Sequence, residues 1–279
     1  MHLKEKPELR ESYQVAVVDY SNPQSLQYAL RGIDTVISTV MGPNQIELIK
    51  AAVAVRVRRF AASEFEGLPD SQPDGPLDRG RSVARQWLTH YRQHLQTTTF
   101  VCGILYERFQ PGGLQQSLIG LTSSLAREGD YIMNCRTMAA QVPYYDANNV
   151  PNVTICLTAA EDVGRFVAKA IDMPRWPEVL TMYGQRVAVR DLVQLVQQFR
   201  GRLFNPVQWH TLASLRSSLQ LAVARGDADS QLQLHALIAT AEGRYDFVQT
   251  ENDSLNHRFP DVRPITFGDW FVAKWGRQT

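Results

Sequence analysis

TVISTVMGPNQIELIKAAVAVRVRRFAASEF, residues 35–65, is the stretch that decides the fold of this 279-residue chain. It opens with the β-branched run Thr35–Val40, and a second short apolar run, Arg59–Ala62, lies near its end. Between the two runs, three apolar residues recur at helical spacing: Ile46, Ile49 and Val53. A strand, a helix and a strand joined by only a few residues predict a right-handed βαβ unit with parallel strands.

The alternation of predicted strands and helices continues both upstream and downstream of residues 35–65. Upstream, Gln14–Val18 is predicted to be a short buried strand, and Ser21 is the predicted N-cap of a helix that runs to Leu30. Downstream, a helix is predicted with one apolar face, followed by strands at 97–103 and 153–157 and by a capping box from Thr158 to Glu161. That face comprises Val83, Ala84, Trp87, Leu88, Tyr91 and Leu95. The alternation predicts an α/β fold with a Rossmann-like parallel sheet.

A smaller, mainly helical lobe is predicted beside this sheet. The segment 104–152 is too long and irregular to be an ordinary connection between two elements. Apolar patterns of helical spacing follow at 187–199, 211–225 and 229–242. We therefore expect a partial nucleotide-binding domain at 1–103, to which 153–175 return. Residues 104–152 and 176–279 would then form the substrate-binding lobe.

Composition narrows the class of function. Lys and Arg total 29 against 28 Asp and Glu, a formal charge of +1, so nucleic acid is a poor candidate partner. The amino terminus has no apolar signal, and no apolar run approaches the roughly 20 residues needed to cross a bilayer. We expect a soluble protein in the cytoplasm, with the nucleus also open, that acts on a small molecule. A protein partner remains an alternative.

Other local patterns give no catalytic motif. His90 and His94 have the spacing of a zinc-binding pair, but no third ligand accompanies them, so no metal site is predicted. Cys102, Cys135 and Cys156 are widely spaced, which favours buried thiols. No Gly-x-Ser-x-Gly elbow occurs in the sequence.

Four strings together resemble the NmrA-like and isoflavone-reductase-like group of atypical short-chain dehydrogenases. They are VVDYSNPQSLQYALRGIDTVIST, NQIELIKAAVAVRVRRFAASEF, ICLTAAEDVGRFVAKAIDM and TAEGRYDF, and their order spans essentially the whole chain. The resemblance implies an NADP- or NAD-binding sheet with a substrate lobe, used for reducing small molecules or for sensing the redox state of the cofactor.

The resemblance also implies which residues meet ligands, because ligands in such sheets lie at the carboxyl ends of the strands. Three strand ends are implied in cofactor binding: Asp19 and Tyr20 beside the adenine; Ser38, Thr39 and Val40 beside the ribose and pyrophosphate; Ser63, Glu64 and Phe65 beside the nicotinamide. Taken without the resemblance, each of these residues equally fits an ordinary strand end, turn or cap.

The glycine-rich phosphate loop that such a sheet requires occurs nowhere in the chain. The sequence thus predicts a sheet without its first strands and a cofactor affinity that is weakened or lost. Three explanations are open: a truncated gene model, a natural variant without cofactor affinity, or a partner that completes the sheet.

The catalytic position is likewise unassigned. Isoflavone-reductase-like enzymes use a Lys in the helix after the Ser-Glu-Phe strand end, whereas residues 76–83 read PLDRGRSV here. Arg81 lies closest, and it is a candidate for holding a cofactor phosphate or an anionic substrate, or a solvated residue at a helix start. Tyr106, Phe109 and Tyr131 are candidates for the substrate wall, with packing of the lobe as the alternative. We predict that the protein in its full-length form is an NAD(P)-dependent oxidoreductase acting on a small molecule; the alternative is a non-enzymatic dinucleotide sensor or regulator.

Overall fold

A four-stranded parallel sheet takes three strands from the first half of the chain and one from the second half. The computed structural model describes residues 14–69, 75–120, 125–248, 250 and 252–276. Strands β1 (Thr35–Ile37), β2 (Arg59–Ala61), β3 (Gln96–Val101) and β8 (Val179–Thr181) pair in that spatial order. Thr35 lies opposite Arg59 in the register, and every pair in this sheet is parallel. The βαβ unit predicted from residues 35–65 is confirmed.

Three helices accompany this sheet, and each follows a predicted apolar pattern. They are α1 (Pro23–Leu30), α2 (Pro43–Ala54) and α3 (Arg81–His90). Leu26, Ile49 and Leu88 pack in one core cluster with Phe60 of β2. Burying a side chain of this size stabilises a fold by about 1.5–3 kcal/mol, so the cluster holds the helices to the strands.

A bend at Gly103 carries the chain from this sheet to a second one. Gly103 has φ +70°, and a Cβ there would lie 2.1 Å from the carbonyl oxygen of Cys156, so only glycine fits. Strands β4 (Ile104–Leu105), β7 (Thr154–Thr158) and β9 (Gln185–Ala188) form the second sheet, with β4 and β7 parallel. Helix α4 (Ala160–Ile171) follows β7.

The remaining elements build the lobe. Strands β5 (Met133–Asn134), β6 (Ala139–Pro143) and β10 (Val207–His210) make a third sheet, and two 3-10 turns cover Tyr106–Phe109 and Leu114–Ser117. The helices are α5 (Val189–Arg200), α6 (Leu212–Ala224), α7 (Ala228–Ala241), α8 (Leu255–Arg258) and α9 (Phe267–Trp275). The predicted fold class, a Rossmann-like sheet with a mainly helical lobe, is confirmed, and the lobe also contains this small sheet.

Two local predictions near the amino-terminal end are wrong. Gln14–Val18 is not a strand: Val15 and Val17 are exposed, and the segment pairs with no strand among the described residues. A β-branched run forms a strand only when a neighbouring strand takes up its backbone hydrogen bonds. The N-cap of α1 is Asn22 rather than Ser21, because the Asn22 side chain accepts the Gln24 and Ser25 N–H groups.

Two further predictions fail farther along the chain. Val83 on α3 is exposed rather than inward. The capping box from Thr158 to Glu161 does not form, since the Thr158 hydroxyl donates to the Cys102 carbonyl at 2.6 Å. Instead, both carboxylate oxygens of Glu107 lie 3.1 Å from the Ala160 N–H. The helix is capped by a residue that sequence reasoning could not associate with it, 53 positions away.

Candidate functional site

The carboxyl ends of β1 and β2 lie side by side. The Ser38 N–H donates to the Ala61 carbonyl at 2.9 Å, and the Ser38 hydroxyl lies 3.2 Å from the Val40 N–H, which donates to it. Ser38 and Ser63 are buried, whereas Thr39, which follows Ser38 in the chain, is exposed to solvent. Adjacent parallel strands therefore bring two of the three predicted strand ends to one edge.

Gln45, in the first turn of α2, fixes the second of these strand ends. Its Oε1 accepts the Ser63 N–H at 2.7 Å, and its side chain is fully buried. Its Nε2, together with Oε1 of Glu64, has no hydrogen-bond partner among the described residues. Buried polar atoms without partners are uncommon in native proteins, so this edge is suited to a polar ligand.

The third predicted strand end, Asp19 with Tyr20, lies outside the sheet. The Asp19 carboxylate accepts from the backbone and hydroxyl of Ser21, and these hydrogen bonds lower the pKa of Asp19. Tyr20 packs half-buried against the core cluster of the first helices. The structure thus brings Ser38 and Ser63 together and leaves Asp19 in a surface turn before α1.

Glu64 and Phe65 continue the β2 strand end into the interior. Glu64 is 2% exposed, and Arg85 of α3 donates to its carboxylate at 2.7 Å. Burial raises the pKa of Glu64, and the nearby Arg85 charge opposes that rise. Phe65 stacks on Phe100, with ring centroids 5.8 Å apart, so it packs against the sheet.

Glu66 stands at the centre of a group of arginines that we name the arginine cluster: Arg79, Arg81, Arg108 and Arg244. Arg81 and Arg244 both donate to Oε2 of Glu66, the latter at 2.7 Å. Arg108 lies 3.9 Å from Oε1, and Arg79 is close enough for its charge to act on the carboxylate. Burial alone would raise the pKa of Glu66, but these four guanidinium groups outweigh it and lower the pKa to about 2.

Four different parts of the fold supply this cluster. The Glu66 carbonyl accepts the N–H groups of Cys102 and Gly103, both at 3.0 Å, which fixes Glu66 beside the end of β3. Arg81 begins α3, Arg108 lies in the turn after β4, and Arg244 follows α7. Gly67 lets Arg244 approach, since a Cβ there would lie 2.4 Å from the Arg244 carbonyl oxygen. The cluster therefore lies where the parallel sheet meets the lobe.

The three aromatic candidates for a substrate wall are buried beneath this junction. Tyr106 and Phe109 pack edge-to-face against Phe267, at 5.2 and 5.6 Å between centroids. The Tyr131 hydroxyl lies 2.6 Å from the Thr240 hydroxyl, and the Arg108 guanidinium lies 5.5 Å above the Tyr131 ring. Tyr131 thus connects the lobe interior to the arginine cluster.

Sequence reasoning missed Gln45, Glu66, Arg108 and Arg244. Arg244 lies inside TAEGRYDF, and Glu66 directly follows the Ser-Glu-Phe strand end. Both were therefore within or beside strings that carried the resemblance. These strings could not indicate that Arg244 donates a hydrogen bond to Glu66, which lies 178 positions earlier in the chain.

Several other features lie apart from this edge. The three cysteines are free and buried. Within the described residues, no group of three or more His, Cys, Asp and Glu side chains is arranged to hold a metal. A surface pocket of about 350 Å³ is lined by residues around the end of α5, including Gln198 and Arg202. None of the described helices has both the length and the apolarity to span a bilayer.

No protein-family model matches the chain. The oxidoreductase BOA1 of Botryotinia fuckeliana (strain B05.10) is 23% identical over 287 residues, covering 95% of this chain and 87% of that protein. Isoeugenol synthase 1 of Petunia hybrida is 26% identical over 162 residues. That match covers 56% of this chain, which spans only 44% of the length of the Petunia protein.

Solved structures share this fold over most of their length. AtPrR2 with NADP+ and (+)-pinoresinol superposes with a TM-score of 0.70 at 18% identity, covering 95% of this chain and 82% of that one. Isoflavone reductase superposes with a TM-score of 0.68 at 16% identity, covering 98% and 88%. This chain has the isoflavone-reductase-like fold. The resemblance inferred from the sequence is thereby confirmed.

The paired strand ends bring polar side chains to one edge of the parallel sheet. Ser38, Thr39 and Ser63 offer hydroxyls and backbone groups at one edge, and the unpartnered buried Nε2 of Gln45 lies beside them. The glycine-rich turn that would hold a pyrophosphate is missing from the 279 residues.

Proposed function

We propose that this protein is an NAD(P)-dependent oxidoreductase that acts on a small molecule. The supporting observation is the paired edge at Ser38 and Ser63, where two parallel strands end side by side in a fold shared with solved reductase structures. A ligand at the carboxyl ends of such strands lies where the chain supplies polar groups from several elements. A bound nicotinamide would supply the hydride.

Each of the remaining predicted residues has a role in this proposal. Thr39 and Val40 border the cofactor on the β1 side, and Ser63 borders it on the β2 side. Glu64 and Phe65 support this edge from the protein interior, Glu64 through its ion pair with Arg85 and Phe65 through its packing on Phe100. Arg81 serves the substrate side of the cleft, because its guanidinium engages Glu66. Tyr106, Phe109 and Tyr131 form the floor of the substrate lobe. Asp19 and Tyr20 would border the adenine only if the missing part of the sheet were supplied.

The domain assignment is part of the proposal. Residues 1–103 and 153–175 form the cofactor half, and residues 104–152 and 176–279 form the substrate half, except that β8 (Val179–Thr181) pairs with β3 in the parallel sheet of the cofactor half. The arginine cluster draws on both halves, since Arg81 belongs to the first and Arg108 and Arg244 to the second. A substrate held there would lie between the two halves.

A charge placed at the paired edge tests the cofactor site. Thr39 is exposed, so Thr39→Glu leaves the core intact while placing a carboxylate beside the dinucleotide phosphates. Because the chain lacks a glycine-rich turn and should bind NADPH weakly, the fluorescence titration extends to high NADPH concentrations, where we expect the affinity of the variant to fall several-fold below that of the parent. Thr137→Glu, at an exposed position of the lobe, is the matched control and keeps the parent affinity. Equal affinities of the two variants would contradict this site.

A dinucleotide sensor is the second candidate, and a specific observation favours it. No Lys occurs between Pro76 and Val83, and the Arg81 guanidinium is committed to Glu66 and stays charged at neutral pH, so it cannot serve as a general base. Steady-state assays with carbonyl and enone substrates separate the two functions. Turnover supports the oxidoreductase, whereas cofactor binding without turnover on any of them supports the sensor.

A further inference from the structure

The segment Gln14–Val18, which precedes α1, has the sequence of a buried strand but is exposed. Its residues 15–18 are all apolar, and a continuous apolar run of this kind is typical of a strand covered on both faces in a parallel sheet. In the structure Val17 is 96% exposed and Val15 is 65% exposed, and the segment pairs with no strand among the described residues. Apolar surface in water favours any arrangement that buries it.

Strand β1 has an open edge of matching length. The Asp34 carbonyl and the Ser38 N–H form hydrogen bonds with the β2 side, at 3.1 and 2.9 Å. Because the direction of the backbone groups alternates along a strand, Thr35 and Ile37 direct their N–H and C=O groups away from β2. Within the described ranges β1 is the outermost strand of its sheet, so these four groups have no neighbouring strand to bond.

The connection between Gln14–Val18 and β1 has the form of a parallel crossover. Residues 19–34 contain α1 and exceed the length of about a dozen residues that such a crossover needs. Helices α1, α2 and α3 pack in one core cluster. Right-handed crossovers that add strands in one direction place their helices on one face of the sheet. A strand at Gln14–Val18 would therefore extend the existing order of β1, β2 and β3 by one.

The packing of Val18 decides the register of such a strand. Val18 contacts the core cluster that contains Val36, whereas Ile37 contacts the cluster beneath α4. Paired residues of parallel strands face the same side of the sheet, and successive side chains alternate between the two sides. Pairing Val18 with Val36 would put the charged Asp19 beside the apolar Ile37, so Ala16 is the residue that pairs with Val36.

We propose that Gln14–Val18 is a strap that closes onto β1 and becomes a fifth parallel strand of this sheet. In the closed arrangement the Ala16 N–H donates to the Thr35 carbonyl, and the Ala16 carbonyl accepts the Ile37 N–H. Val17, the most exposed residue of the strap, is then covered beside Ile37. Closure thus removes apolar surface from water and satisfies the open edge at the same time.

The strap turns about its carboxyl end. The Asp19 N–H donates to the Ser25 hydroxyl at 3.0 Å, which holds this end to α1 while the strap is open. Residues 14–17 are exposed, so their movement breaks no packing. Closure brings Asp19 to the edge where Ser38 and Ser63 lie, so that the three predicted strand ends meet there.

Hydrogen–deuterium exchange, resolved at single amides by NMR, tests closure. The Ile37 N–H has a partner only when the strap is closed, so we expect its exchange to be at least tenfold slower than that of an open amide. Val17→Asp places a charge beside Ile37 only in the closed arrangement, and it should restore fast exchange. Val223→Asp, at a residue of α6 that is 57% exposed, is the matched control and keeps the parent rate. Fast exchange of Ile37 in the parent, or equal rates in the two variants, would overturn the proposal.

Paired cysteines test the register. Val15→Cys with Thr35→Cys places two Cβ atoms opposite each other on one face, within reach of a disulfide, whereas Ala16→Cys with Thr35→Cys places them on opposite faces. The native cysteines are buried and do not compete in the folded chain. Mild oxidation should link the first pair within one chain at least fivefold more than the second.

Equal yields from the two pairs would contradict the register and with it the strap. A covalent dimer in place of the internal link would also overturn the proposal, since a second copy would then supply the strand. Neither measurement uses a cofactor or a substrate, so failure of the strap and failure of the proposed function are distinguishable.

Discussion

At the scale of the residue, Glu66 is the clearest case of a side chain whose protonation state is determined by the charged groups around it. A carboxylate that is 13% exposed would ordinarily favour protonation, yet guanidinium groups from three elements keep it charged. The ion pair with Arg244 links the segment after β2 to the segment after α7. One carboxylate thereby ties the sheet to the lobe.

The lowered pKa of Glu66 predicts how stability depends on pH. Because the pKa falls from the ordinary 4.5 to about 2 in the folded chain, this stabilisation is complete above pH 4.5 and is lost as pH falls toward 2. One pKa unit corresponds to about 1.4 kcal/mol, so the contribution at neutral pH is on the order of 3 kcal/mol.

Urea unfolding followed by circular dichroism between pH 6 and pH 2 measures this dependence, with the pH values chosen to span roughly the titration range. Glu66→Gln should flatten the fall in the free energy of unfolding across that range. Glu161→Gln, at an exposed carboxylate, should leave the parent slope. An unchanged slope in Glu66→Gln would show that the carboxylate is not held ionised by the cluster.

At the scale of the element, α4 shows how a helix end is satisfied from elsewhere in the fold. Its N-cap, Ala159, has no side chain that can accept a hydrogen bond, and the first N–H of the helix meets Glu107 instead. Burial raises the pKa of Glu107, while the hydrogen bond from Ala160 opposes that rise. The cap thus depends on β4 and the turn that follows it.

Two alanine substitutions separate this cap from the capping box that the sequence predicts. Glu107→Ala should lower the free energy of unfolding by about 1–2 kcal/mol, because the helix loses its acceptor. Glu161→Ala should cost less than about 0.5 kcal/mol, as at an ordinary surface position. Thermal and urea unfolding of both variants measures the difference in the free energy of unfolding. A larger loss of stability in Glu161→Ala than in Glu107→Ala would show that the helix is capped by the predicted capping box instead.

At the scale of the whole molecule, β1 is the edge strand of the parallel sheet among the described residues, and the resemblance would place further strands beside it. Without a glycine-rich turn, the backbone cannot approach a pyrophosphate from that side. We therefore expect the 279-residue chain to bind NADPH only weakly in a fluorescence titration. A longer form carrying an in-frame strand and glycine-rich turn, if the genomic sequence upstream of Met1 encodes one, should bind tightly. Tight binding by the 279-residue chain would contradict this expectation.

The elements that sequence reasoning predicted well are those with a complete local signal. The strands around Val36 and Phe60 and the helix around Ile49 follow their apolar periodicities, and the predicted pairing of neighbouring strands was correct. The failure at Gln14–Val18 has a clear cause. Apolar alternation indicates which side chains a segment can bury. A strand also needs a neighbouring strand that forms hydrogen bonds with its backbone N–H and C=O groups.

The candidate site likewise contains some residues that could be predicted from the sequence and others that could not. Ser38 and Ser63 were predictable because the ends of consecutive parallel strands must meet at one edge. Gln45 and Glu107 were not, since each acts on a backbone N–H that only the folded chain brings near.

By itself, the sequence determined the class of fold, the βαβ rhythm and the edge at which Ser38 and Ser63 meet, because periodicity and strand ends are local properties. Only the tertiary structure decided that Arg81, Arg108 and Arg244 converge on Glu66. Their meeting depends on the packing of the lobe against the sheet. Contacts between residues as far apart as 178 positions leave no pattern in one sequence.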